Sequence, residues 1–209
     1  MSSAGSPDRG RFIAFEGGEA CGKSTQSARL AEGLDAVLTH EPGGTEIGQL
    51  VRGLVLDPAT SGLAPRAEAL LIAADRAQHV AEVVEPALAA GRHVVTDRFA
   101  GSSVAYQGYG RGLPVEEVRS ISEWATGGVW PDLVVLLDVP PELAEARLGR
   151  GRDRMEAEPG AFHRAVLEGF RAQAEAEPER WAVVAGTGSI DEVAAAVRRV
   201  VAERLQLAW

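Results

Sequence analysis

Apolar residues in this chain fall in short unbroken runs separated by stretches of helical spacing. Arg11–Glu16 (RFIAFE) reads as a short buried strand, and similar runs predict strands over Ala36–Thr39, Arg92–Thr96, Leu133–Val139 and Trp181–Ala185. Strands without strict polar alternation are covered on both faces. Between them the spacing predicts helices over Lys23–Gly33, Thr45–Val55, Pro65–Ala90, Glu116–Trp124, Pro141–Arg150, Gly160–Glu177 and Ser189–Leu205. Gly33 is expected to stop the first helix, and Pro86 to kink the long third one. Gly17–Gly22 reads as a loop and Pro42-Gly43-Gly44 as a turn. Strands alternating with helices imply an α/β fold: a five-stranded parallel sheet with helices on both faces. One domain is expected over 11–209, after a small polar tail, Met1–Gly10, read as disordered. The Gly/Arg segment Gly149–Arg154 reads as a mobile surface flap.

Composition narrows the setting. The chain has 209 residues, 45% hydrophobic and 24% charged, ordinary for a globular protein. The longest apolar runs fall short of the ~20 residues that span a bilayer, and the N-terminus lacks the apolar stretch of a secretory signal. No membrane partner is therefore expected. The single cysteine, Cys21, rules out an intrachain disulfide and suits a reducing cytoplasm. A net charge of −9 argues against a general nucleic-acid surface. An anionic ligand would need a local basic pocket. Of the 21 basic residues only one is lysine, Lys23, and it lies in a glycine-rich loop. A chain so biased towards arginine keeps lysine where a site needs a compact ammonium rather than a planar fork.

That loop, Gly17-Gly18-Glu19-Ala20-Cys21-Gly22-Lys23-Ser24, matches G-x-x-x-x-G-K-[ST] between a strand and a helix. Its glycines let backbone N–H groups turn inward as an anion nest, and the following helix adds its positive end. Residues 17–24 and Thr25 are therefore candidates to hold the phosphates of ATP. Lys23 would bridge the β- and γ-phosphates, and the Ser24 hydroxyl would ligate Mg²⁺. Cys21 supplies a small side chain that fits, with no catalytic role. The fold expectation becomes a three-layer P-loop NTPase.

The blocks Glu41-Pro42-Gly43-Gly44-Thr45, Ala67–Leu71, Ala74–His79, Asp97-Arg98-Phe99 and Ser102–Gly108 follow in this order. With the loop they resemble the bacterial thymidylate kinases, over roughly Phe12–Val197. The resemblance implies ATP and dTMP as substrates, Mg²⁺ as cofactor, dTDP as product and a homodimer. It implies that Arg98 grips the acceptor phosphate and that Asp97 sits near the metal and the transferring phosphoryl group. A guanidinium suits the first task because it binds phosphate bidentately and stays charged. Glu19 matches the acid that contacts the sugar 3′-hydroxyl. Arg76 matches the arginine that bonds the thymine edge. Tyr106 and Gln107 match residues lining the base and sugar pocket, to which Glu41, Pro42, Ser102 and Ser103 also belong. Gly149–Glu156 resembles a lid, placed at about 149–158. Because the loop carries no arginine, the lid's Arg150, Arg152 or Arg154 would reach the phosphoryl group, and Arg147 would stack on adenine.

Two positions depart from the family pattern. His40 stands where the family usually has arginine, which shifts phosphate binding towards Arg98 and Arg52. Ile72 stands where it commonly has a stacking phenylalanine. A kinase for dUMP or a modified dUMP is the nearest alternative, and a P-loop ATPase or switch module a more distant one.

Overall fold

Every residue of strand β1 (Phe12–Glu16) is buried, as an unbroken apolar run requires of a central strand. The computed structural model of the protein describes residues 9–149 and 152–207. With β1 it places β2 (Val37–His40), β3 (Val94–Asp97), β4 (Leu133–Asp138) and β5 (Trp181–Ala185) in one sheet, in the order β2-β3-β1-β4-β5. All four pairings are parallel, with Ile13 opposite Val95 on one side and Leu133 on the other.

Alternate β1 side chains feed two cores. Phe12 and Ala14 join Phe99, Leu136, Val166 and Phe170. Ile13 and Phe15 join Leu30, Val135, Val197 and Val201 on the opposite face. The second core is closed by α1 (Lys23–Leu34) and α9 (Ile190–Leu205). The first lies under α2 (Glu46–Leu56), α3 (Pro65–His79) and, further along the chain, α8 (Gly160–Ala176). The expected five-stranded, three-layer architecture is thus present. The remaining helices are α4 (Glu85–Ala89), α5 (Ala100–Ser103), α6 (Val115–Thr126) and α7 (Pro141–Arg147).

Local chemistry moves several predicted boundaries. Helix α1 passes through Gly33 and ends one residue later. Asp35 takes the left-handed conformation, φ 50°, and its N–H returns to Ala31 O and Glu32 O. Aspartate tolerates that conformation better than most residues, so the glycine is not needed as the stop. Pro86 acts upstream of itself: α3 passes through one π-helical turn, Val80–Val84, before α4 resumes. A wide turn there accommodates the missing N–H and the ring of Pro86. A second π-wound segment, Val104–Gly110, continues α5 and carries Tyr106 and Gln107. Thr45 caps α2 by accepting Gly48 N at 2.9 Å. Helix α7 stops at Arg147 rather than Arg150, because Leu148 is already extended. Residues 150–151 and the expected tail up to position 8 lie outside the described residues. Gly10 N donates to Leu88 O at 3.0 Å.

The loops that follow β1, β2 and β3 meet at the carboxyl edge of the sheet, where parallel α/β sheets bind ligands. No helix among the described residues is long and apolar enough to cross a membrane.

Candidate active site

The phosphate loop follows β1 directly. Gly17, Ala20 and Gly22 have φ of 145°, 52° and 98°, so successive peptide groups turn in opposite senses around the loop. Gly17 has a second reason to lack a side chain: a Cβ there would stand 2.7 Å from Leu137 O. Lys23 Nζ is folded onto the loop, donating to Gly18 O at 2.7 Å and Gly17 O at 3.2 Å. A cleft of about 640 Å³ opens over it. Ala20–Thr25 line this cleft, joined by His40, Arg52, Asp97, Arg98, Arg147 and the acidic Asp153 and Glu156.

Ser24 Oγ donates to Asp97 Oδ2 at 2.6 Å, and Asp97 Oδ1 is buried with no partner among the described residues. A hydroxyl beside an unpaired carboxylate oxygen is a donor set suited to a hard, oxygen-seeking cation. The pair therefore fits Mg²⁺.

A second pocket adjoins the first. Its lining includes Glu19, Glu41, Pro42, Ile72, Arg76, Ser102, Ser103, Tyr106 and Gln107, and Met155 from the lid segment. Arg52 and Arg98 line both spaces. Arg98 has φ 72°, a left-handed backbone that most side chains avoid. Its Nη1 donates to Gly17 O at 3.0 Å and Ser102 Oγ at 3.2 Å. Its Nη2 donates to Glu19 Oε1 at 2.7 Å and Tyr106 Oη at 3.0 Å. The Tyr106 hydroxyl also donates to Glu19. Burial alone would raise the Glu19 pKa, but Arg98 and then Lys23 outweigh it and hold the carboxyl at about 2. Burial drives the Tyr106 phenol well above its ordinary 10.

Arg76 is buried and donates Nε to Glu41 Oε2 at 2.9 Å and Nη1 to Ser103 Oγ at 3.0 Å. His79 braces the same carboxylate through Nδ1 at 2.8 Å, and its Nε2 lies 2.7 Å from Thr39 Oγ1. Asp75, pushed up to about 6 by burial and then by Glu41, accepts Gly43 N at 2.9 Å. Arg52 Nη1 donates to Pro42 O at 2.9 Å. Burial, then Arg52, keeps His40 below its usual 6.5, so it faces the phosphate cleft as a neutral imidazole.

The arginines of the segment expected as a lid do not point to one place. Arg152 pairs with Glu145 at a separate cleft that Gly18, Glu19 and Cys21 also line, away from both pockets described above. Arg154 turns the other way, donating Nε to Val55 O at 2.7 Å and Nη2 to Glu68 Oε2 at 2.5 Å. Arg150 lies outside the described residues. Arg147 Nη1 donates to Gly186 O at 3.1 Å at the rim of the phosphate cleft.

Glu16 is a site residue that sequence reasoning missed. It accepts Phe99 N at 3.0 Å, Ser102 N at 2.9 Å and Ser102 Oγ at 2.6 Å, fastening the corner that begins with Arg98. Burial pushes it up to about 7, against the opposing pull of Ser102 and Arg98. The available signal was an acid closing an apolar strand immediately before the loop. Glu68, Asp75 and His79 were also missed, although they lie in the blocks that carry the resemblance.

A phosphate loop joined through the part-buried Arg98, with Arg52 beside it, to a second pocket at the carboxyl edge of a parallel sheet defines a P-loop kinase acting on a small acceptor. The chain belongs to the thymidylate kinase family: the family model described as thymidylate kinase matches residues 15–197. It is similar to the thymidylate kinase of Synechococcus sp. (strain JA-2-3B'a(2-13)), 51% identical over 94% of this chain and 97% of that protein. It is also similar to that of Bifidobacterium longum (strain DJO10A), 46% identical over 93% of this chain and 98% of that protein. The crystal structure of thymidylate kinase from Ehrlichia chaffeensis superposes with a TM-score of 0.78 at 31% identity, covering 95% of this chain and all of the other.

Proposed function

We infer that this protein transfers the γ-phosphoryl group of ATP to dTMP, giving ADP and dTDP. The observation that carries this beyond family membership is Arg98, which faces both clefts. Two anions that must react are presented to each other across one guanidinium.

The loop amides take the polyphosphate, and Lys23 exchanges its carbonyl partners for phosphate oxygens. Ser24 and Asp97 would hold Mg²⁺, which supplies positive charge to the phosphates when bound. Arg98 grips the acceptor phosphate, with Arg52 beside it. Glu19, ionised beside Arg98, is an acceptor for the sugar hydroxyl. Arg76 can only donate hydrogen bonds, and Gln107 Oε1 is buried without a partner among the described residues. This donor and acceptor complement the carbonyl and N–H of thymine. Ile72 and Met155 supply apolar contact in place of an aromatic face. The monophosphate is already largely dianionic near neutrality (second pKa about 6), so its oxygen attacks without a protein base. Closing the lid would exclude water; with Arg154 held by Glu68 and Arg152 by Glu145, Lys23 and Arg98 supply the charge at the transferring group. ADP release should require dTMP and a divalent cation together. Steady release without dTMP would favour a hydrolase and overturn the assignment.

The same reading includes a homodimer. Ile47, Leu50 and Leu54 form an exposed apolar stripe on α2, with Leu50 73% exposed. Leu70 on α3 and Trp124 on α6, the latter 84% exposed, extend it across neighbouring helices. Apolar patches of this kind mark protein contacts, and twofold pairing is the commonest way to cover one. Leu50→Glu should shift the sedimenting species from twice the chain mass to the chain mass. A variant that sediments like the wild type would exclude this face. A lone cysteine, which can form no intrachain disulfide, and the use of ATP support a cytoplasmic setting for the reaction.

A further inference from the structure

Glu68 is a carboxylate with no exposed surface, lying directly behind Gln107, which lines the acceptor pocket. Its oxygens take four donor bonds. Oε1 accepts Gln107 Nε2 at 2.9 Å and Arg111 Nε at 3.2 Å. Oε2 accepts Arg111 Nη2 at 3.1 Å and Arg154 Nη2 at 2.5 Å. Burial would raise its pKa, but bonds from Arg111, then Gln107 and Arg154, hold it below the usual carboxylate range. At neutral pH the group is ionised, so it can only accept.

An amide has one donor end and one acceptor end, and the group it meets decides which way round it sits. Against an acceptor-only carboxylate, the NH₂ end of Gln107 must face Glu68. The carbonyl end is then the one left unpartnered at the acceptor pocket. We propose that Glu68 is a positioning residue that fixes Gln107 as a hydrogen-bond acceptor and thereby sets which base the pocket takes. The proposal rests on reading that pocket as the dTMP site. A fixed acceptor pairs with the ring N–H of thymine and opposes the unprotonated ring nitrogen of cytosine. A site built around one polarity rejects the other strongly, because the wrong base leaves buried groups unpaired. Arg154 gives the same carboxylate a hold on the segment carrying Met155, so the wall and the roof of the pocket share one anchor.

The test compares kcat/KM for dTMP and dCMP in the wild type, E68Q and E68D. Glutamine at position 68 can donate as well as accept, which frees Gln107 to turn. The dTMP/dCMP ratio should fall about tenfold or more in E68Q. E68D keeps an acceptor-only group and should keep the ratio, even where both rates drop. A purely structural defect lowers both substrates together and leaves the ratio unchanged. An unchanged ratio in E68Q, with a wild type that prefers dTMP, overturns the proposal alone. A wild type without that preference overturns the pocket assignment and the proposal with it. Should E68Q fail to fold, the wild-type complex with dTMP decides by NMR with ¹⁵N-labelled glutamine. The Gln107 amide protons should show contacts to Glu68 and none to the thymine ring. Contacts to the ring would overturn the proposal.

Discussion

Replacing Lys23 with alanine is expected to lower kcat by about 10²- to 10³-fold, the loss typical of removing one preorganised charge-stabilising donor. Lys23 is the chain's only lysine, and its ammonium lies against Gly17 O and Gly18 O beneath the phosphate cleft. Those bonds steady the loop but belong to no core cluster, and alanine is a strong helix former at the start of α1. The fold should survive, as circular dichroism and a cooperative thermal transition would show. Lys23→Arg should not restore activity, because a planar fork does not fit a space shaped for a slim stem between the loop carbonyls and Cys21 Sγ. Because Lys23 does not line the acceptor pocket, KM for dTMP should change far less than kcat. Near-full turnover in Lys23→Ala would remove the phosphate loop from the chemistry.

The second large effect is expected at Arg98. Arg98→Ala should reduce kcat/KM for dTMP by about 10²- to 10³-fold, from the loss of two charge-assisted bonds to one anion. Much of the change should appear in KM for dTMP and little in KM for ATP. The variant also strands Glu19, whose pKa of about 2 depends mainly on Arg98 once burial has been overcome. Without that guanidinium the Glu19 carboxyl rises, and an acidic limb should move up in the pH profile of kcat/KM. Arg98→Lys restores charge but not the fork that spans Gly17, Ser102, Glu19 and Tyr106, so its rescue should be partial. Unchanged saturation by dTMP in both variants would assign the acceptor phosphate to another group, with Arg52 the next in line.

How legible this was in the sequence follows from how local each feature is. The phosphate loop is contiguous and its conformation lies in the backbone, so eight residues disclosed its place between β1 and α1. The strands were legible because central parallel strands are apolar on both faces, as in Phe12–Glu16. The π-wound turns at Val80–Val84 and Val104–Gly110 were not, because apolar periodicity over one turn does not resolve a single extra residue. Gly33 misled as a helix stop because Asp35, two residues on, could take the left-handed position. Long-range partners were the least legible. Sequence reveals that Arg154 is a cation in a mobile-looking segment, but not that Glu68, 86 residues earlier in the chain, claims it. Glu16 and Glu68 look like ordinary acids until tertiary packing buries them among donors.

The central claim is that one guanidinium brings a phosphate loop and a pocket for thymidine monophosphate into a single reaction. It is tested most directly by ADP formation from ATP and Mg²⁺ across dTMP, dUMP, dCMP and UMP. Turnover should be highest with dTMP, with dUMP the best of the others because it presents the same N–H and carbonyl edge. Fastest turnover with dCMP, or equal rates across all four, would contradict the account.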